Sequence, residues 1–416
     1  MGRSILAAVL VATVVVGASS GEDAPGRARL DGFRELLKLP GDKVPLPESC
    51  RPFVSFSPDE RRYMVIFTLR DRGLAIPHLG KTGAKAAPEP VPWDRRGIWT
   101  TYCRLCLAGR PWTPDGQRVL FLHPLSRKDG RGWQEQWHRT MFPYAMRWDV
   151  PNPQCGRPRH MVLKDKGETG CTAATYSHDG KAVFTAFSDP KDFRSCGVTE
   201  MAIGGKSRGR VLYRKAGGAI WHLVPSPDDT RLAWIETHSR KGKPVRGPEV
   251  VIVDRKSAKV IRRIGLTEHV WGWDDAQPPV WSADGKAICY GRVVQHNHLI
   301  RREVRLAEVD GKADRALLGN ALAVGATPAG IVVQYGRGCE PAKMSITSAV
   351  DVLCAKEWNV MLCPTDRKAS PQMLIEEANV QQVIGRRIVL AERDGDRIVV
   401  KSAEIRLATA RTRPAK

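Results

Sequence analysis

Pro279-Val-Trp-Ser-Ala-Asp-Gly-Lys-Ala-Ile-Cys-Tyr290 carries a large apolar residue, Trp281, into Ser-Ala-Asp-Gly and then climbs out through Ile288 and Tyr290. Physically this is a strand, a tight turn and a returning strand. The Asp side chain bonds its own neighbouring backbone, and Gly takes the left-handed conformation that closes a hairpin with a bulge. The signal lies in recurrence. Phe56-Ser-Pro-Asp59-Glu60 leads to Met64 and Ile66, and Trp112-Thr-Pro-Asp115-Gly116 leads to Val119 and Phe121. Tyr176-Ser-His-Asp179-Gly180 leads to Val183 and Thr185, and Pro225-Ser-Pro-Asp228-Asp229 leads to Leu232 and Trp234. Trp281 to Asp284-Gly285 is the fifth copy. The aspartates stand 56, 64, 49 and 56 residues apart, a period that suits a four-stranded blade with loop insertions. Two weaker copies, Ala326 to Gly330 and Val383 to Gly385, lack the Asp.

A second pair of strands follows most hairpins: Val304–Val309 with Arg315–Leu318, and Val250–Val253 with Val260–Ile261. The repeat resembles that of the TolB-like (WD40-like) β-propeller family, in which a W-S-P-D-G turn joins the first two strands of each blade. The resemblance covers most of residues 50 to 405. It implies an all-β fold, a seven-bladed (alternatively six-bladed) β-propeller of four-stranded antiparallel blades spanning 50–407. A β-sandwich with coincidental turns is the competing reading. Such blades occur in binding scaffolds, enzymes and enzyme regulators alike, so the resemblance implies a fold and no chemistry.

Seven blades use nearly all of the 416 residues and leave no room for a separate catalytic domain. Residues 1–20 read as a secretory signal peptide: Arg3, an apolar run from Ile5 to Val16, then Gly17, Ala18, Ser19 and Ser20. That run is shorter than the ~20 residues of a membrane span, and nothing later is long and apolar enough to be one. Residues 21–49 form a linker and N-terminal segment, with one or two helical turns expected at Phe33–Leu37, and residues 408–416 a basic tail. An exported protein is expected in the periplasm or outside the cell.

Export bears on the ten cysteines, because an even count in an oxidising compartment suggests disulfides. Cys339 and Cys354 bracket a long insertion and form the best candidate pair. Cys103 and Cys106 have redox-motif spacing, but no second pair completes a zinc site, and they read as structural. Gly205-Lys-Ser-Arg-Gly209 fits the nucleophile-elbow pattern without the strand, helix and α/β domain that an elbow requires.

The net charge is +22. In the cytosol this would point to nucleic acid; export favours anionic envelope polymers, acidic glycans or an acidic protein, with the chain itself monomeric. Position refines this. In an antiparallel blade, the loop joining strands two and three lies opposite the Asp-Gly turn. Here those loops span 70–73, 123–142, 188–197, 237–248, 292–302 and 336–357. They carry Arg127, Lys128, Arg131, Arg139, Arg194, Arg240, Lys241, Lys243, Arg301 and Arg302, with Trp133 and Trp137 between cations in the second-blade insertion. Aromatics in that setting serve sugar stacking or partner hot spots, or fold onto their own apolar cluster. A one-signed face steers anions toward it. The expected function is therefore a non-catalytic binding scaffold without cofactor. The alternative is a propeller-fold lyase or hydrolase of acidic polysaccharide. It would use a metal held by His296 and His298, at i and i+2 on one side of a strand, with His222 as a third ligand.

Overall fold

The structure is a computed structural model, and it describes residues 28–42, 53–69, 74–84, 88–90, 110–124, 141–147, 170–188, 195–203, 209–240, 243–267, 277–296, 299–337, 342–343, 357–367 and 369–407. Every regular element among them is a β-strand, and no helix is long and apolar enough to cross a membrane.

The strands group into antiparallel sheets taken in chain order. The first sheet is Val54–Phe56, Arg62–Leu69, Leu74–Lys81 and Glu89–Pro90. The third is Gly170–Tyr176, Ala182–Ser188, Ser195–Ala202 and Arg210–Ala216. The fourth is Ile220–Pro225, Arg231–Arg240, Lys243–Asp254 and Val260–Gly265. The fifth is Val280–Trp281, Ala287–His296, Leu299–Glu308 and Asp314–Gly319, with Ala342–Lys343 added beside its third strand. The sixth is Ala321–Thr327, Gly330–Arg337, Glu357–Cys363 and Gln372–Ile375. The closing sheet is Asn379–Ile384, Arg387–Asp394, Arg397–Leu407 and, as its fourth strand, Ala28–Pro40 from the other end of the chain. Among the described residues these make six complete four-stranded blades of a propeller, the alternative count of the sequence reading. Between the first and third lies the second copy of the repeat. It is described as a two-stranded sheet, Arg118–Pro124 with Met141–Arg147, with Trp112 bridged to Val119.

The N-terminal strand corrects the expectation of helical turns at Phe33–Leu37. Those residues pair with Arg397–Leu407 through two register shifts and bury Leu36 and Leu39. The physical reason is the edge. Without this strand the third strand of the closing sheet would present a long row of unpaired backbone groups.

Each sheet is apolar on both faces, because it packs between two neighbours. Phe184 and Trp234 join the third sheet to the fourth, and Ile235, Trp281 and Tyr290 join the fourth to the fifth. Val304 and Ile331 join the fifth to the sixth, Val332 and Leu390 the sixth to the closing sheet, and Val400 and Phe56 the closing sheet to the first. Trp234 and Tyr290 are almost wholly buried, and each such side chain contributes about 1.5–3 kcal/mol.

The five repeat turns share one polar knot. The hydroxyl of Ser57 donates to Asp59 Oδ1 (2.6 Å) and accepts from the Arg62 amide (3.0 Å), while the Arg61 amide donates to the same Asp59 oxygen (3.1 Å). Thr113–Asp115, Ser177–Asp179, Ser226–Asp228 and Ser282–Asp284 repeat it, with hydroxyl–carboxylate distances of 2.5–2.7 Å. The fourth turn position is left-handed in all five: Glu60 (φ 57°), Gly116 (63°), Gly180 (69°), Asp229 (56°) and Gly285 (68°).

The two acidic residues accept that backbone conformation, which costs an L-residue about 1–2 kcal/mol, and each anchors a neighbouring sheet. The Asp229 carboxylate takes the amides of His178 (2.8 Å) and Asp179 (2.9 Å) in the third sheet. The Glu60 side chain is fully buried, and it accepts from Ser402 Oγ (2.9 Å), pairs with Arg387 (3.2 Å) and takes a hydrogen bond from Arg34 of the N-terminal strand. Glu60 thus ties the first sheet to both chain ends of the closing sheet.

Two outcomes follow from the turns. Gly116→Val and Gly285→Val each lower stability by about 1–3 kcal/mol, since a β-branched residue is strained at φ > 0. Gly116→Val costs more, because its Cβ would stand 3.0 Å from Ser57 Cβ, whereas the nearest atom at Gly285 is Pro227 Cδ at 3.6 Å. Urea unfolding of both variants checks the order. Glu60→Gly relieves the backbone yet destabilises by roughly 2 kcal/mol, because Arg34, Arg387 and Ser402 lose their acceptor. A variant as stable as the wild type in the same assay removes Glu60 from its anchoring role.

Candidate functional site

Chain direction fixes two ends of the ring. Every first-to-second strand connection is a repeat turn, and the second-to-third connections leave at the other end. Second strands do lead to third strands across the expected segments, as Leu69 to Leu74 and Ser188 to Ser195, but in the fourth and fifth sheets most of the expected loop is strand: residues 238–240 pair with 243–246, and 292–296 with 299–303. Many of the basic and aromatic residues assigned to that end fall outside the described residues: Arg127, Lys128, Arg131, Trp133, Trp137, Arg139, Arg194 and Lys241, and with them His298, Cys339 and Cys354. Arg240 and Lys243 close the fourth-sheet hairpin as register partners, and Arg301 pairs with Val294.

Arg302 is a correction. It is only 9% exposed, so it does not present its charge to solvent. Strand periodicity explains this: residues two apart share a face, and Arg302 lies on the face of buried Val304 and Leu306. Of the candidate metal histidines, His222 sits at an irregularity of the innermost fourth-sheet strand with φ 55°, and the backbone of His296 ends the second strand of the fifth sheet. Of the described residues, Cys196, Cys289 and Cys363 are buried free thiols. Burial pushes Cys363 and Cys196 up to about 12, which leaves them protonated and inert at neutral pH.

Beneath the fourth-sheet hairpin lies a group that sequence reading missed. Glu236 and His238 are two apart on the second strand, and Glu249 faces Glu236 across the ladder. From the outer strand of the third sheet, Lys215 Nζ reaches Glu236 Oε1 (2.7 Å) and His238 Nδ1 (2.5 Å). His238 Nε2 lies 3.1 Å from Glu249 Oε2. Arg263, on the fourth strand, spans Glu236 (3.0 Å) and Glu249 (3.1 Å) and donates to Tyr213 Oη (2.8 Å). Arg246 adds a bond to Glu249 (3.0 Å).

Glu236 and His238 are buried, and Lys215, Arg263 and Glu249 are partly covered. Burial pulls the Glu236 carboxyl upward, but hydrogen bonds from Lys215 and Tyr213 outweigh it and hold the group below the usual carboxylate range. Burial, then Lys215 and Arg246, push His238 down against the pull of Glu236 and Glu249. With Lys215 charged, His238 Nδ1 accepts its proton and Nε2–H donates to Glu249, which is the neutral tautomer.

The donor atoms of Glu236, His238 and Glu249 lie within 4.8 Å of one another, a spacing that could suit a cation. Lys215 and Arg263 already stand against those atoms. Two carboxylates facing three cations make a closed ion network, not a metal centre. Its chemistry is to join the third and fourth sheets at the loop end.

The fold is that of an all-β propeller closed by strands from both ends of the chain. No family profile and no curated protein matches the sequence. Among solved structures, the chain is similar to hydrazine synthase of Kuenenia stuttgartiensis (13% identity, 86% of this chain and 96% of that one, TM-score 0.49). It is also similar to TolB of Acinetobacter baumannii (17% identity, 63% of this chain, TM-score 0.39) and spans 53% of that protein's length. A third is the propeller domain of the Trilobed protease of Pyrococcus furiosus (11% identity, 70% of this chain and 80% of that one, TM-score 0.44). These likenesses concern the fold alone.

Lys215→Met removes the ammonium and keeps most of the stem. It should destabilise by about 1–3 kcal/mol, since the buried Glu236 and His238 lose a bond while Arg263 stays with Glu236. The double variant Lys215→Met, Glu236→Met should recover part of that loss in chemical denaturation. A double variant no better than the sum of the two single ones would mean that the groups are energetically independent.

Proposed function

We propose that this propeller is an exported, non-catalytic binding scaffold whose loop end receives an anionic partner, either an acidic protein or an anionic glycan or envelope polymer. The reading rests on the basic residues that antiparallel pairing assigns to the loop end, set against the arginines of the turn end. At the turn end they are spent on neighbouring sheets. Arg62 donates to the Gly116 carbonyl (2.7 Å), and Arg231 pairs with Asp310 (2.8 Å). Arg255 holds Glu200 (2.7 Å), Arg315 reaches the Thr365 carbonyl (2.9 Å), and Arg387 reaches that of Pro58 (3.1 Å). Antiparallel pairing assigns the cations of the second-to-third loops to the other end, where like charges repel unless a partner or salt screens them; of the described arginines there, Arg246 is paired with Glu249 and Arg302 is buried. The signal-like residues 1–20 support export, and export favours envelope polymers over nucleic acid.

Reversing Arg240, Lys241 and Lys243 to Glu should weaken binding to heparin or polygalacturonate by tenfold or more, on the order of 1.4 kcal/mol, and flatten its salt dependence. Reversing Lys181 and Lys286, at the turn end, should change affinity far less. Equal losses in titration calorimetry would reduce the basic charge to a diffuse property and remove the loop end as the binding surface.

A further inference from the structure

The histidine in the ion network faces an unusual demand. His238 is 3% exposed on its side chain, and its Nδ1 accepts from Lys215 at 2.5 Å while its Nε2 bonds Glu249. The groups that face this network come from both sheets. The third sheet supplies Lys215, Tyr213 and Cys196; the fourth supplies Glu236, Glu249, Arg246 and Arg263. With His238 neutral, these charges sum to one positive. Protonating Nδ1 would turn the contact with Lys215 into two donors opposed at hydrogen-bond distance, in a buried site that screens them weakly.

We propose that Lys215, His238 and Glu249 form a proton-sensitive joint that tightens the junction of the third and fourth sheets at neutral pH and loosens it at their loop end on acidification. Protonating Nδ1 removes the Lys215–His238 bond and leaves Lys215 on Glu236 (2.7 Å) and Arg263 on Tyr213 (2.8 Å). Lys215 is the member on the third sheet that contacts His238, and its side chain is partly exposed, so its ammonium can pivot away from a protonated Nδ1 while keeping Glu236. Arg263 also stays with Glu236 and Glu249, so the fourth sheet remains intact while its junction with the third loosens. Two adjoining features suit such a loosening. The link between these sheets turns through Gly217 (φ 76°) and Gly218 (φ 97°), where a Cβ would run into the Thr237 carbonyl oxygen. The hairpin closed by Arg240 and Lys243 begins two residues beyond His238. The joint stands whether or not an anionic partner binds that hairpin.

The sign follows from linkage. His238 is held below its ordinary value of 6.5, so its stabilising contribution is present above that pH and is lost as pH falls toward the folded-state value. His178, at the turn end, is also pushed down, to about 4, by burial and Arg110, but it is common to wild type and variant and cancels in their comparison.

The test compares wild type with His238→Gln, which keeps an acceptor and a donor and does not titrate. Between pH 7.5 and pH 5 the wild-type Tm should fall by about 1–2 °C more than that of the variant. At pH 5, deuterium uptake in peptides covering 210–216 and 236–250 should be higher in the wild type, and at pH 7.5 equal. Equal Tm losses, or equal uptake at pH 5, overturn the joint. If the variant does not fold, wild type alone decides. After correction for intrinsic exchange, those two peptides should lose protection on acidification more than a peptide covering 300–308. Uniform loss across the three overturns the proposal.

Discussion

The hydroxyls of Ser57, Thr113, Ser177, Ser226 and Ser282 are the points on which the ring is built. Each is buried, each donates to an aspartate two residues on, and each accepts the amide five residues on. A buried hydroxyl without partners would cost free energy, so its satisfaction dictates the turn. The chain must fold back within six residues, and the fourth position must be left-handed. That geometry sets the register of the first hairpin in each sheet and hence which residues face the neighbouring sheets. In the sixth sheet Thr327 keeps the hydroxyl but not the aspartate, and it bonds the Ala329 amide (3.2 Å) and the Gly330 carbonyl (3.3 Å) instead.

A second layer of bonds converts separate sheets into a ring. Amide side chains reach the backbone of the adjoining innermost strand. Gln382 bonds both the amide (2.7 Å) and the carbonyl (3.1 Å) of Phe56, and Gln381 takes the Phe53 amide (2.8 Å). Trp281 donates to the Val224 carbonyl (3.3 Å) and Trp112 to Ser55 (3.2 Å). Arginines do the same at the turn end. Their planar fork suits paired acceptors, which gives much of the basic composition a structural use. Net charge alone therefore overstates what is left for a partner.

At the loop end the corresponding bond between the third and fourth sheets is ionic. Packing around Tyr213 and Trp234, whose rings stand 5.0 Å apart, covers one side of the network with apolar surface. Such cover strengthens each pairing and makes an unmatched proton costly. The same burial that joins the sheets makes the joint responsive to pH.

What could be read from the sequence was whatever the backbone fixes locally. The Asp-Gly turns, their period and the short apolar runs that follow them, such as Leu232 to Ile235, gave an all-β propeller, and antiparallel pairing assigned the second-to-third loops to one end. These follow from contacts within about ten residues, which leave a pattern in the chain. The tertiary structure decided the rest. Phe33–Leu37 carries no strand signal of its own and becomes a strand because Arg397–Leu407 offers an open edge more than 350 residues away. Arg302 belongs to the interior because its register turns it with Val304. Glu60 and Asp229 look like lapses from glycine, and only the neighbouring sheet shows why each is acidic. Lys215, Glu236, His238, Glu249 and Arg263 are scattered over some fifty residues without spacing or motif, because what selects them is their meeting across two sheets, and a one-dimensional pattern does not record that distance.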